Sequence, residues 1–300
     1  MATLRDIRGR ISSIKSIQKI TQAMKMVAAS KFRRALLAVE SSRPYFNILD
    51  NNISKIIKSL SDEYSHPLAI QHKEVKNIAF IIISSDQGMC GSFNANLLKE
   101  TSRFMNENIK TKYPEAQISV LPIGRKAISF YNKQNYPIIS KHTQIANNPD
   151  YDVVTSILEP VKNSFLANEI DLVFISYVKF IHIMRQEPQV FQLLPFEPSN
   201  RLTAEKEEDG LKYNDIYIFE PDQTSILETL IPRTIDSKFW ASILESNASE
   251  QAARRVAMDN ATSNAGELIK NLNLEYNKLR QASITSEIIE IVSGAEALKG

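Results

Sequence analysis

The side chains with the most chemical promise stand together in "SSDQGMCGSFNAN", Ser84 to Asn96, which holds the chain's single cysteine, Cys90, beside Asp86, three serines and two glycines. The stretch follows an apolar run and leads into a helix-like segment, where α/β proteins bind phosphates or mount a nucleophile. It lacks the lysine of a phosphate loop and the three-glycine spacing of a dinucleotide fingerprint. A thiol near a helix N-terminus can ionise readily, but a nucleophile also needs a base, and no residue nearby is nominated for that role. A structural turn is therefore expected, with Asp86 as a helix cap rather than an acid catalyst. His66, His72, His142 and His182 lie too far apart for a local ligand pair, which with one cysteine argues against a zinc site. Neither catalytic residues, metal nor cofactor are expected.

The second concentration of chemistry is charge. Residues 1–43 hold ten Lys or Arg against Asp6 and Glu40, a net +8 in a chain whose total is only +2. Three readings follow: a solvated face, nucleic-acid binding, or docking against acidic protein partners. Phe32 is the only aromatic of that segment, which weakens the nucleic-acid reading because single-strand binders stack bases on aromatic rings.

Both concentrations need elements to position them. Ser12 to Arg43 contains neither glycine nor proline. Apolar residues recur there at spacings of three to five: Ile7, Ile11, Ile14, Ile17, Ile20, Met24, Val27, Phe32, Leu36 and Val39. This is close to the 3.5 period of a coiled-coil stripe. Arg5, Arg8, Lys15, Lys19, Arg33 and Arg34 gather mostly on the other side. Thr3 and Asp6 form a capping-box pattern with Asp for the usual Glu, and Pro44 is expected to kink or interrupt the helix.

The middle changes period. "NIAFIIISS", "QISVLPIG", "YPIISKH" and "DLVFISYVKF" read as strands separated by helices near 92–110, 126–133 and 152–168, hence βαβ units on a mainly parallel sheet. "PQVFQLLPF" reads as an antiparallel fifth strand, and 199–212 as an exposed polar loop. From Thr234 to Val292 no proline intervenes. The stripe Ile243, Leu244, Ala248, Ala252, Val256, Leu268, Leu272, Tyr276, Leu279, Ile284, Ile288 and Ile291 asks for a partner helix, which the N-terminal segment supplies. The fold class is thus α/β: a long antiparallel coiled coil of the two terminal helices plus a Rossmann-like domain with a mainly parallel five-stranded sheet. The expected domains are 1–60, 75–198 and 213–298.

Hydrophobic content is 43%, and only eight glycines occur in 300 residues, against a usual share of about 7%. No apolar run approaches the roughly 18 residues of a membrane span. "MATLRDIRGRISSI" lacks the features of a secretory signal, and a single cysteine excludes an internal disulfide.

Read together, "KITQAMKMVAASK", "SSDQGMCGSFNANL", "NASEQAARRVAMDNATSNAGELIKNL" and "YNKLRQASITSEIIEIVSGAEAL" resemble the γ subunit family of F-type ATP synthases, in the same order and over residues 2 to about 298. The resemblance implies a central rotor shaft. The terminal helices would turn inside a ring of alternating α and β subunits, while the α/β domain touches ε and the membrane ring of c subunits. Ion flow would drive rotation that couples to ATP synthesis and hydrolysis at β. It implies no catalytic site, no cofactor, no nucleic acid and no small-molecule substrate of the chain's own. Without a transit peptide before "MATLRDI", it implies a bacterial protein peripheral to the cytoplasmic face of the plasma membrane.

Carried over residue by residue, Met24 and Lys25 fall where family members face an acidic segment of β. Arg254, Arg280, Gln281 and Thr285 match positions that contact the β catch loop or stabilise the shaft. Met24 suits a coiled-coil core equally well. The regulatory insert with its cysteine pair is absent, so thiol control is not expected. The tip carries Glu296, Lys299 and Gly300 where relatives are more apolar. Alternatives from other classes are a nucleic-acid-binding coiled coil and a hydrolase using Cys90.

Overall fold

The computed structural model describes residues 3–59, 66–146, 149–197, 220 and 222–297. The polar loop expected at 199–212, the first residues of the segment expected from 213, Lys299 and Gly300 lie outside them. By packing, the chain divides into two compact units, one of residues 1–29 with 254–300, the other of residues 30–253. Helices α1 (Leu4–Ser59) and α6 (Gln223–Ala297) contribute to both.

In the larger unit, β1 (Asn77–Ile83) is buried on both faces and lies at the centre of the sheet order β2-β1-β3-β4. Strands β2 (Gln117–Ile123) and β3 (Leu172–His182) flank it in parallel, and β4 (Arg185–Leu194) pairs antiparallel with β3. A strand buried on both faces reads as a continuous apolar run, which is why "IAFIII" shows no alternation. Ala79, Ile81 and Ile83 pack with α1 (Ile53), α5 (Tyr151–Leu166; Leu158, Phe165) and α6 (Leu227, Phe239). Ile78, Phe80 and Ile82 pack with α2 (Phe93–Phe104; Phe93, Leu97) and α4 (Arg125–Tyr131; Ala127, Tyr131). A π-turn, Met105–Ile109, joins α2 to the short α3 (Lys110–Lys112).

Among the described residues the sheet has four strands, not five. The segment expected as a strand at 136–142 makes only two isolated parallel bridges, Val120 to Ile138 and Ile123 to His142. The cause is local. Val120 N–H donates to Pro137 O, and Ile139 N–H donates to Val120 O. Two residues on, Pro122 has no N–H to give on that side, so the ladder loses a rung. It resumes one residue out of register, with His142 N–H on Pro122 O at 3.3 Å.

The α1 N-terminus forms the expected capping box. Asp6 N–H donates to Thr3 Oγ1 at 3.2 Å, and Thr3 N–H donates to Asp6 Oδ2 at 3.0 Å. Pro44 does not interrupt α1. A mid-helix proline costs about 3 kcal/mol, and Leu49 and Ile53, 7% and 0% exposed beyond it, offset that at about 1.5–3 kcal/mol for each buried side chain.

In the smaller unit, the two helices run antiparallel as a coiled coil. Its register can be read from Arg8 on Tyr276, Gln18 at Gly266, Thr21 on Thr262 and Lys25 on Asp259. Positions advance along α1 as they recede along α6. The inward residues of α1 are Ile7, Ile11, Ile14, Gln18, Thr21, Lys25 and Ala28, and those of α6 are Met258, Thr262, Ala265, Ile269, Leu272, Tyr276, Leu279 and Ser283. Both series alternate steps of four and three, a strict heptad.

Candidate functional site

The "SSDQGMCGSFNAN" turn sits at the C-terminal end of β1, where doubly wound sheets hold their ligands. Here its polar groups are spent on the fold. Ser84 Oγ donates to Ile123 O and accepts from Ala127 N–H at 2.8 Å. Asp86 accepts from Arg125 N–H at 3.2 Å and Gln144 N–H at 2.9 Å, so it caps α4, the helix after the neighbouring strand. Ser85 Oγ donates to Gln87 O at 2.8 Å, and the Asn94 amide donates to Ser85 Oγ at 2.8 Å and to Cys90 Sγ at 3.1 Å. Cys90 is 1% exposed. Gly124 adopts φ +91°, and a Cβ there would stand 2.3 Å from Ser84 O, so only glycine lets the two strand ends approach this closely. Helix α6 closes the crevice, with Ser246 Oγ donating to Ile83 O at 3.3 Å.

The basic face of α1 is open to solvent: Arg5, Arg8, Lys15, Lys19, Arg33 and Arg34 are all exposed. Between that face and α6 the seam of the coiled coil turns polar. Thr262 Oγ1 lies within hydrogen-bond distance of Thr21 Oγ1 at 2.8 Å and of Met258 O at 2.7 Å, and Lys25 Nζ pairs with Asp259 at 2.5 Å with both side chains partly exposed. Ile17, Ile20 and Val27, expected in the stripe, are instead 53%, 59% and 57% exposed, and Leu268 is displaced outward in favour of Ile269. Gln18, Thr21, Ala28 and Thr262 fall outside a stripe drawn through apolar residues alone, because the seam keeps the count of seven and not the hydrophobicity. A strict heptad started at Ile7 finds all of those on α1.

The six partner-contact candidates fall at three places. Met24 and Lys25 are half-buried on α1, with Lys25 turned to Asp259. Arg254 is 7% exposed on α6. Arg280 and Gln281 are exposed, and Thr285 donates its hydroxyl to Gln281 O at 2.9 Å, which brings these three onto one stretch of α6. Counting back from the Arg8–Tyr276 pair, Leu4 stands level with Arg280. Beyond Ser283 every described side chain of α6 is exposed, including Ile284, Ile288, Ile289, Ile291 and Val292. About 14 residues, roughly 20 Å of helix, have no partner within the coiled coil.

A protein-family model described as ATP synthase matches residues 3–298. The ATP synthase gamma chain of Pelotomaculum thermopropionicum is 40% identical over 299 residues, covering all of both chains. That of Chloroherpeton thalassium is 38% identical over 307 residues, covering all of this chain and 99% of its own. Among solved structures, the chain is similar in fold to one in the rotor of Euglena gracilis mitochondrial ATP synthase in rotational state 1, at 19% identity and a TM-score of 0.64 over 94% of this chain and 98% of that one. It is also similar to a chain in the OSCP/F1/c-ring assembly of the same enzyme, at 18% identity and a TM-score of 0.67 over 98% and 94%.

Proposed function

The chain belongs to the ATP synthase gamma chain family, and from that membership we propose that it is the central rotor shaft of an F-type ATP synthase, coupling ion flow to ATP synthesis and hydrolysis without a catalytic site of its own. Its partners are the α and β subunits of the catalytic ring, the ε subunit and the c-ring. It works as a peripheral protein at the cytoplasmic face of a bacterial plasma membrane. No helix among the described residues is long and apolar enough to cross a membrane.

One observation carries the reading: α6 outruns α1 and presents a solitary helix with Arg280, Gln281 and Thr285 exposed near its base. An unpaired helix with an apolar end is unstable in water and needs a surrounding sleeve. A rotor must also meet three similar partners in turn, so its contacts have to be exchangeable. Charged and polar groups on a smooth helix meet that need better than a wide apolar interface, which would lock one orientation. The basic face of α1 fits the same purpose, since it attracts acidic partner surfaces without dry burial.

Arg280 and Gln281 act as hydrogen-bond donors to β, charge-assisted for Arg280. Thr285 extends that contact by one turn. Met24 and Lys25 meet an acidic segment of β, with Lys25 shared between that segment and Asp259. Arg254, being buried, stabilises the shaft. The division 1–60, 75–198 and 213–298 corresponds on this reading to shaft, base and shaft. The test is to tag the full chain in its native host, co-purify it and identify what accompanies it. Recovery of α and β with an ATP hydrolysis activity that disappears when the chain is withheld is expected, and recovery of the chain alone or with nucleic acid would sink the assignment.

A further inference from the structure

A groove of about 540 Å³ opens between α1, the start of α5 and α6 in the larger unit, and none of the six partner-contact candidates lines it. Its walls are aromatic. Tyr45 and Phe46 come from α1, while Tyr151 and Trp240 meet edge to face with ring centroids 5.6 Å apart. Tyr45 and Tyr151 are 53% and 44% exposed, so large ring surfaces stand open to water in one place.

Two polar groups point the chemistry. Ser237 is 2% exposed and lines the groove, and its Oγ has no hydrogen-bond partner of good geometry. Burial and the Asp236 charge raise the pKa of the Tyr151 hydroxyl beside it, which Ser237 only partly offsets. Arg233 is exposed at the groove and makes no ion pair among the described residues. Its cationic neighbours are all taken: Lys162 by Asp236 and Glu159, Lys238 by Asp50, Arg43 by Glu245. With Arg233 included, four cations stand against four carboxylates, and Arg233 is the cation of this group that no carboxylate engages among the described residues. An anion gains a planar guanidinium whose fork matches a carboxylate. The volume lies within the range of small-ligand sites, and edge-to-face ring pairs leave faces free for a third ring to stack.

We propose that this groove binds a small planar aromatic anion, its ring stacked among Tyr45, Phe46, Tyr151 and Trp240, its carboxylate on Arg233, and the Ser237 hydroxyl donating to it. Trp240 is the only tryptophan of the chain, so the site carries its own reporter. The probe is 2-naphthoate, with 2-naphthalenemethanol as the neutral molecule of the same shape. Both are titrated by equilibrium dialysis into the complex that co-purifies with the full chain, and the emission of Trp240 is obtained by subtracting the Trp240→Phe complex. The expected result is one saturable naphthoate site per chain that quenches Trp240. Arg233→Ala weakens it about tenfold, the worth of one charge-assisted hydrogen bond, with Arg233→Lys partly restoring it and the neutral probe unchanged. Ser237→Ala weakens it by about threefold, within the range of one ordinary hydrogen bond. Arg233 is exposed, so helix content by circular dichroism should be the same in its variants. Absence of a saturable site, equal binding to Arg233→Ala, or binding to the isolated chain that vanishes in the complex would each overturn the proposal, the last by making the groove a protein interface.

Discussion

Arg280 and Gln281 stand where α6 passes the first turn of α1, both exposed and with no side-chain hydrogen bond or ion pair among the described residues. Their removal should therefore cost the fold nothing. Arg280→Ala or Gln281→Leu is expected to lower ATP turnover of the assembled complex, by about tenfold or more for Arg280 if one charge-assisted bond of about 1.5–3 kcal/mol is lost. The melting temperature of the shaft should stay put. Steady-state hydrolysis and thermal melting on the same preparations check this, and parallel losses in both would mean that these residues hold the shaft together. Asp171 makes the opposite case. It accepts from Lys76 N–H at 2.7 Å, Asn77 N–H at 2.8 Å and the His72 ring at 2.8 Å. Burial pushes its pKa up, but the bonds from Asn77, His72 and Lys76 outweigh it and hold the carboxyl below its ordinary value. A depressed folded pKa means that the unfolded chain takes up the proton first as pH falls. The stabilisation is complete above the unfolded value of about 3.9 and drains away as pH drops through the folded one. Asp171→Asn is expected to destabilise at neutral pH by about 1–3 kcal/mol and to flatten the acid limb below about pH 4, as read from urea midpoints across pH; an unchanged acid limb would refute the assignment.

At the scale of the element, the seam of the smaller unit carries a contiguous polar block, Gln18 to Lys25 against Asp259 to Gly266. Such a block adds little stability. The Lys25–Asp259 pair is partly exposed, 38% and 58% by side chain, and pairs of that kind are worth about 0–1 kcal/mol. What it supplies is register, because a slip of one heptad would put Lys25 and the two threonines against apolar positions. Asp259→Lys should therefore destabilise the coiled coil modestly by setting two cations together, and the swap Lys25→Asp with Asp259→Lys should restore it. Circular dichroism melts of the complexes, combined as a double-mutant cycle, measure the coupling. A cycle that closes at zero would show that the pair contributes nothing. In the sheet the comparable element is the turn at Gly124. Gly124→Ala forces a Cβ against Ser84 O at a positive φ, a strain of about 1–3 kcal/mol before any displacement of backbone. Reduced recovery of folded complex with a lower urea midpoint is expected.

For the molecule as a whole, the solitary end of α6, with five exposed isoleucine or valine side chains, predicts that the isolated chain behaves poorly. It should aggregate or lose helix when expressed alone and gain stability when α and β are present, since a partner that binds only the folded form stabilises it by mass action. Light scattering and far-ultraviolet dichroism, with and without co-expression, decide the matter. A soluble monomer that melts cooperatively on its own would contradict it.

The sequence alone determined the order of elements, because each has a local cause. β1 is legible as "IAFIII" because burial on both faces needs no alternation, the α1 start because Thr3 and Asp6 satisfy each other, and the Asp86 cap because a short acid after a strand has few other uses. The family was legible from motifs spread in register along the chain. Tertiary structure alone decided what depends on a neighbour. The fifth strand failed because the rung it needed falls on Pro122, a fact about which side of β2 faces 136–142. The stripe on α1 runs through Gln18 and Thr21 rather than Ile17 and Ile20, because α6 offers Gly266 and Thr262 there, and hydrophobicity cannot show which face a polar partner has claimed. Arg254 and Arg280 are the same residue type on one helix, one 7% exposed and the other open to solvent. The difference lies in where along α6 its neighbours end, since burial is a property of the surroundings and not of the side chain.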